Sequence, residues 1–308
     1  MHIDARNLPA ESTIEGDICI VGTGPAGLSI AMDWNGSPYK VILLEGGGFQ
    51  YDDQMQDLYA GPETGQRYYP LRSTRLHYFG GTSNHWAGYC STFDPLDFEK
   101  RDWVPHSGWP IKKTDLDPYY AKAQEVLDLG PYNYEVEYWQ KQDPSRQSLF
   151  PDNLIVWNKV WQFSPPTRLA KKYGDAVKRS KNIHLYTYAH VTGINTDENR
   201  NGVQYLRATN FAGKTLTIKA KNYVLACNTV QNARLLLAAC PQAPHGLGND
   251  RDLVGRFFME HLEIQAAWLH LPDPDPLKLY VFQTGTRQMR CELAISPAMQ
   301  AKYRILNG

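Results

Sequence analysis

Three glycines stand in the spacing Gly22-x-Gly24-x-x-Gly27, and a carboxylate, Glu45, follows 18 residues after the last. That spacing suits a diphosphate. Gly22 permits a tight turn, Gly24 lets the backbone approach phosphate oxygens, and Gly27 allows close helix–strand packing. A helix opening there aims its free N–H groups and partial positive charge at the phosphates. Glu45 can accept hydrogen bonds from ribose hydroxyls, and its charge disfavours a 2′-phosphate. A second cluster, Gly80-Gly81-Thr82-Ser83-Asn84-His85-Trp86-Ala87-Gly88, joins permissive backbone to hydrogen-bonding side chains, an imidazole and a large flat ring. It suits a loop against an isoalloxazine or a pyrophosphate. The plainer alternatives are a glycine-rich turn that binds nothing and a surface loop with a satisfied histidine.

The elements that must hold these residues are legible around them. Asp17–Val21 is a short apolar, β-branched run that reads as a buried parallel strand. The spacing predicts a helix over Leu28–Trp34, stopped by Asn35-Gly36-Ser37-Pro38, and a second strand over Lys40–Glu45. This is one βαβ unit, the context that turns a glycine pattern into a dinucleotide fingerprint. It does not by itself separate FAD from NAD. Residues 46–110 lack regular patterning, as loops around a ligand do. Helices are predicted over Thr114–Leu129 and from Pro165-Pro166 to about Ser180. Residues 131–160 carry no assignable pattern. Strands follow at Ile183–Tyr188, Val191–Asn195, Val203–Thr209 and Thr215–Lys219, the last three forming an antiparallel meander. Asn222–Cys227 reads as another buried strand, followed by a helix over Thr229–Ala239. Residues 262–270 and 278–296 read as strands of a different sheet.

Composition narrows the classes. The chain has 308 residues, 42% hydrophobic and 21% charged, which is globular and long enough for a substantial core. Lys plus Arg and Asp plus Glu number 32 each, so no global charge marks a nucleic-acid or anionic-membrane binder. The five cysteines are scattered and form no C-x-x-C pair, which argues against a disulfide framework or a structural metal site. No run of 18 apolar residues predicts a transmembrane helix, and residues 1–15 lack the apolar stretch of a signal peptide. A cytoplasmic location is the expectation.

The motif order is more specific than any one motif. Gly22–Gly27, Glu45-Gly46-Gly47, Gly80–Gly88, Asp102–Pro105 with Ser107–Pro110, Val224–Leu237 and Val254–His261 occur in the order seen in the glucose–methanol–choline (GMC) oxidoreductases. The chain resembles that family over about residues 14–265. The resemblance implies an α/β fold: a Rossmann-like FAD-binding domain with a β-meander, plus part of an α+β substrate domain with an antiparallel sheet. It places the first over residues 1–261, with excursions towards the substrate domain at about 95–160, and the second over 262–308. It implies FAD as cofactor and oxidation of an alcohol or sugar hydroxyl by hydride transfer. Carried over by position, Gly22, Gly24 and Gly27 hold the pyrophosphate and Glu45 the ribose. Gly80, Gly81, Thr82, Asn84 and His85 flank the flavin, and Val191 presents its backbone to the adenine. Ser83-Asn84-His85-Trp86 also resembles the Ser-Thr-His-Trp loop of pyranose oxidases, whose histidine carries a covalent flavin. His85 is thus a candidate for that bond or for a hydrogen bond to the flavin.

Two departures stand out. Asn228-Thr229 replaces the Gly-Gly that often follows the Val224–Cys227 strand; Asn tolerates left-handed backbone and can cap a helix. The family's catalytic His–His or His–Asn pair, after a Gly-Thr-x-x-Met-Gly segment, has no counterpart. Thr284–Arg290 is only superficially similar and reads as a strand and turn. His261 is more simply structural than a base, and His77, His106, His184, His190, His245 and His270 make no better constellation. Catalytic residues are therefore unassigned and no metal is expected. The resemblance implies a C-terminally truncated oxidoreductase, and the alternative is a flavin-binding fragment that does not turn over.

Overall fold

A computed structural model describes residues 1–66, 68–261, 263–265, 267–268, 270, 272, 277–280 and 288–307. The described strands are β1 (His2–Asp4), β2 (Ser12–Glu15), β3 (Ile18–Val21), β4 (Val41–Leu44), β5 (Tyr89–Cys90), β6 (Val156–Phe163), β7 (Ile183–Thr187), β8 (His190–Thr196), β9 (Val203–Thr209), β10 (Thr215–Lys219), β11 (Asn222–Leu225) and β12 (Gln288–Ile295). The α-helices are α1 (Pro25–Asp33), α2 (Asp53–Asp57), α3 (Pro95–Phe98), α4 (Lys113–Val126), α5 (Val136–Gln142), α6 (Leu169–Arg179), α7 (Thr229–Ala238) and α8 (Pro297–Tyr303). They fall into two compact units, Met1–Trp86 with Arg168–Glu263, and Ala87–Thr167 with Ile264–Gly308.

The first unit is built on a five-stranded parallel sheet in the order β1-β7-β4-β3-β11. Every residue of β3 and β4 is buried. Both faces of these strands are covered, so their sequences are unbroken apolar runs rather than alternating ones. Helix α1 contacts β3 and β4. It starts at Pro25, whose missing N–H costs nothing at the first helical position, so the third fingerprint glycine lies inside it. A second sheet, β2-β10-β9-β8, is the expected antiparallel meander with β2 added in parallel on β10. Cys19, Val21, Ile42 and Leu44 share one core with Ile14, Leu206, Leu216 and Ile218, so the meander seals one face of the parallel sheet. Each fully buried Leu or Ile there stabilises by about 1.5–3 kcal/mol.

The second unit carries an antiparallel sheet, β12-β6-β5, with β12 and β6 paired along all eight residues, from Gln288↔Phe163 to Ile295↔Val156. Strand β6 begins inside the unpatterned stretch 131–160 and runs past its end, and two of its inward positions are polar. Asn158 and Gln162 are buried beside Val160, and Gln162 donates to the carbonyls of Pro131 and Asn133. Polar side chains inside erase the alternation on which strand reading depends.

Three expectations differ from the structure. The helix expected from Pro165-Pro166 begins at Leu169. Thr167 N donates to Ser164 Oγ and Thr167 Oγ1 donates to Asp128 Oδ2, which holds the prolines in a turn. The strand expected over 262–270 is absent from the described residues of that stretch; 262, 266 and 269 lie outside the description. Of 278–296, only Gln288–Ile295 is strand, and 281–287, with most of the Thr284–Arg290 segment, also lie outside it.

Candidate functional site

At the carboxyl ends of β3, β4 and β11 the first unit encloses a cleft of about 540 Å³, lined at its base by Val21, Leu44 and Ala226. Strand β3 sits between β4 and β11, so the chain leaves it in one direction and returns on the other. Such a switch point opens a crevice between loops.

The glycines divide the work there. At Gly22, with φ of 102°, a Cβ would stand 2.5 Å from the Ala226 carbonyl oxygen; at Gly27 it would stand 1.9 Å from that of Gly22. Both positions exclude any side chain, and they bring the turn, α1 and the end of β11 together. At Gly24 a Cβ would meet no atom within 4 Å, so this residue bares its backbone to the cleft.

Glu45, the residue after β4, is 5% exposed and its carboxylate already has protein partners. Oε2 accepts from the Thr23 hydroxyl and from Thr23 N at 3.3 Å, and Oε1 accepts from Gly47 N at 2.9 Å. A carboxylate has about four acceptor sites, so capacity for a ligand hydroxyl remains.

Of the residues singled out in the sequence, Gly22, Gly24, Glu45, Gly81, Thr82 and Val191 line the cleft, whereas Gly27, Gly80, Asn84 and His85 do not. Asn84 Nδ2 donates to the Phe79 carbonyl, 2.9 Å away, and shapes its own loop. The His85 side chain is exposed, with Nε2 3.3 Å from the Tyr78 hydroxyl. His261 is 89% exposed and stands 3.7 Å from the Glu260 carboxylate.

Several lining residues take roles that the sequence reading did not assign to them. Arg75 is 5% exposed; Nη1 reaches only the Leu71 carbonyl at 3.3 Å and Thr74 Oγ1 at 3.2 Å, and its guanidinium covers the Tyr59 ring. Among the described residues no carboxylate pairs with it. A buried cation lacking a counter-charge is costly and suits an anionic ligand. His77 stacks on Tyr59, and His190 meets His77 edge to face at 5.2 Å. Burial, then the neighbouring His77, push the His190 pKa down to about 4, so this ring is neutral near pH 7. Asn228 stands at φ 83°, ψ 153°, and its Oδ1 accepts from Val230 N at 3.0 Å, capping α7. Sequence spacing announces neither Arg75 nor the His77–His190 pair, which the loops gather; Asn228 takes the capping role its residue type suggests.

The cleft therefore offers bare backbone at a helix N-terminus, an unpaired buried cation and a carboxylate with spare acceptor sites. These groups fit the diphosphate and ribose of a dinucleotide such as FAD.

The second unit has its own groove of about 950 Å³. Two lysines of its lining are paired within it: Lys159 Nζ lies 2.6 Å from Asp94, and Lys113 Nζ 2.7 Å from Asp117. Burial raises the Asp94 pKa against the pull of Lys159. Among the described residues no cluster of His, Cys, Asp and Glu could hold a metal ion, and no helix is long and apolar enough to cross a membrane.

Residues 17–277 match the model of a family described as FAD dependent oxidoreductase (DAO). The chain is also similar to three curated proteins. It is 24% identical to 2-methyl-1,2-propanediol dehydrogenase of Mycolicibacterium austroafricanum, over 82% of this chain and 56% of that protein. It is 23% identical to the fructose dehydrogenase large subunit of Gluconobacter japonicus, over 82% and 59%. It is 24% identical to paromamine 6′-oxidase of Streptomyces fradiae, over 78% and 52%. The chain thus spans about half the length of the curated relatives it matches. A formate oxidase structure aligns with a TM-score of 0.49 at 17% identity, over 75% of this chain and 48% of that one.

Proposed function

The chain belongs to the FAD dependent oxidoreductase family, and from that premise we propose that it serves the oxidation of a CH–OH group, in an alcohol or a sugar. Its likeness is to the GMC type, and its cofactor is FAD. The observation that carries the reading is the cleft in which bare Gly24 backbone, Glu45 and the unpaired Arg75 converge. Bound FAD supplies the hydride-accepting chemistry that no side chain offers.

The chain's own residues bind and orient. Gly22, Gly24 and Gly27 with the α1 N-terminus take the diphosphate, Arg75 adds a counter-charge, Glu45 takes ribose hydroxyls, and the Val191 backbone takes the adenine. Gly81 and Thr82, which line the cleft, face the flavin, and Gly80, Asn84 and His85 shape the loop that carries them. The substrate class is supported by the names of the relatives, which are a diol dehydrogenase, a fructose dehydrogenase and a paromamine oxidase.

A visible spectrum of the purified chain tests the cofactor, since protein that stays colourless with added FAD sinks the assignment. Because His85 is exposed, does not line the cleft and stands 3.3 Å from the Tyr78 hydroxyl, we assign it a hydrogen-bonding place rather than a covalent one. Acid precipitation should then release all colour to the supernatant; colour held in the pellet would instead support the covalent bond.

A second reading, in which the chain holds the flavin without turnover, is favoured by His261, the one histidine of the Val254–His261 motif, which is exposed and off the cleft. Anaerobic addition of a diol and of fructose to the yellow protein separates the two. Bleaching of the flavin band supports the first reading, and an unchanged band the second.

A further inference from the structure

Three loops of the cleft meet at one side chain that none of the roles above uses. Thr23, fully buried, is the variable residue between Gly22 and Gly24. Its hydroxyl donates to Glu45 Oε2, and the same hydroxyl oxygen accepts from Gly80 N at 3.3 Å. Its carbonyl accepts from Gly80 N as well, at 3.2 Å. The Gly80–Asn84 turn is thereby fastened to the phosphate turn, and the fit is close. A Cβ on Gly81 would stand 3.0 Å from Gly24 Cα. Glu45 in turn anchors the next loop through Gly47 N.

A hydroxyl has one proton to donate, and here the carboxylate takes it. That choice leaves the lone pairs facing Gly80, so the ionised carboxylate sets the direction of the Thr23 hydroxyl and the hydroxyl then receives the amide. Glu45 and Gly80 are bonded to Thr23 rather than to each other. We propose that Thr23 is a positioning residue that ties the ribose-binding carboxylate to the Gly80–Thr82 turn, so that these two adjoining walls of the cofactor cleft are ordered together. The inference rests on the dinucleotide reading of the cleft for its function, although the bonds themselves exist without ligand.

The test is amide hydrogen exchange on the full chain, with and without saturating FAD, for the unmodified protein and for Thr23→Val, Thr23→Ser, Glu45→Gln and the Val/Gln double variant. Valine keeps the shape and removes the hydroxyl; serine keeps the hydroxyl. In Glu45→Gln, three donors compete for one remaining oxygen, so the Thr23 hydroxyl loses its fixed direction.

Exchange at Gly80 should quicken about two- to fivefold in Thr23→Val, short of a fully lost hydrogen bond because the Thr23 carbonyl still accepts from Gly80 N, and return to normal in Thr23→Ser. Glu45→Gln should quicken Gly80 although Glu45 does not bond it, and should add nothing in the Thr23→Val background, the non-additivity of groups acting through one another. Exchange in β9 and β10 should not change, which separates this role from general loosening. Unchanged Gly80 exchange in Thr23→Val, or additive effects in the double variant, overturns the proposal. Failure of FAD to bind the unmodified protein overturns the dinucleotide reading instead, since the ligand-free comparison still reports on Thr23.

Discussion

Asn228 is expected to be less stable than glycine at its own position and more stable than alanine. Its φ of 83° and ψ of 153° fall in a region that only glycine occupies without strain. A residue with a Cβ costs about 1–3 kcal/mol there. Against that, its Oδ1 caps α7 through Val230 N at 3.0 Å. Exchanging an Asn cap for glycine costs only a few tenths of a kcal/mol, whereas exchanging it for alanine costs about 1 kcal/mol. Asn228→Gly therefore releases strain and loses little, for a net gain of about 1–2 kcal/mol. Asn228→Ala keeps the strain and loses the cap, for a net loss of about 1 kcal/mol. For a unit of this size each kcal/mol moves the midpoint by roughly 2–4 °C. Thermal unfolding followed by circular dichroism should rank the proteins glycine, asparagine, alanine from highest to lowest. An Asn228→Gly midpoint below that of the unmodified chain would refute the reasoning. It would show that the cap, or a contact of the amide within the cleft, outweighs the strain.

Other outcomes follow from the same site. His190 has its pKa pushed down to about 4 from an ordinary 6.5, so the unfolded chain takes up the proton first. This contribution to stability is complete above pH 6.5 and falls with pH, by about 2–3 kcal/mol at pH 4.5. Urea unfolding at pH 7 and 4.5 should show a smaller loss in His190→Gln; an equal loss would clear His190 of the effect. Arg75→Gln should leave the ligand-free protein at least as stable, by removing an unpaired buried charge, yet weaken FAD binding about tenfold or more. Calorimetric titration showing undiminished affinity would remove Arg75 from the site. Glu45→Ala strands three donors and should cost about 2–4 kcal/mol of stability as well as FAD affinity; a loss of affinity alone would mean that its protein bonds are replaced by water.

The βαβ core was readable because its signals are local. Asp17–Val21 and Lys40–Glu45 are apolar runs around a glycine-spaced turn, and burial on both faces demands such runs in any parallel sheet. The meander was readable because Asp197–Gly202 and Asn210–Gly213 supply turn residues between β-branched stretches. The cap at Asn228 was legible from chemistry alone, but its φ of 83° with ψ of 153° was not, since that lies outside the left-handed region asparagine tolerates. Strands β1 and β2 were not, because three or four residues carry no periodicity and their partners, β7 and β10, lie far along the chain. Strand β6 was hidden by polar residues that the fold satisfies internally, and the start of α6 was set by a turn held from Asp128.

The sequence by itself determined the family, the cofactor class and the glycine and carboxylate positions, because those depend on residue type and short spacing. Only the tertiary structure decided which of them share the cleft. It set Arg75 and His190 beside it, left His85 exposed and off the cleft lining, and placed Thr23 between Glu45 and Gly80. The physical reason is that a buried charge or hydroxyl is defined by partners 22 to 57 residues away, and folding alone brings such partners within hydrogen-bonding distance.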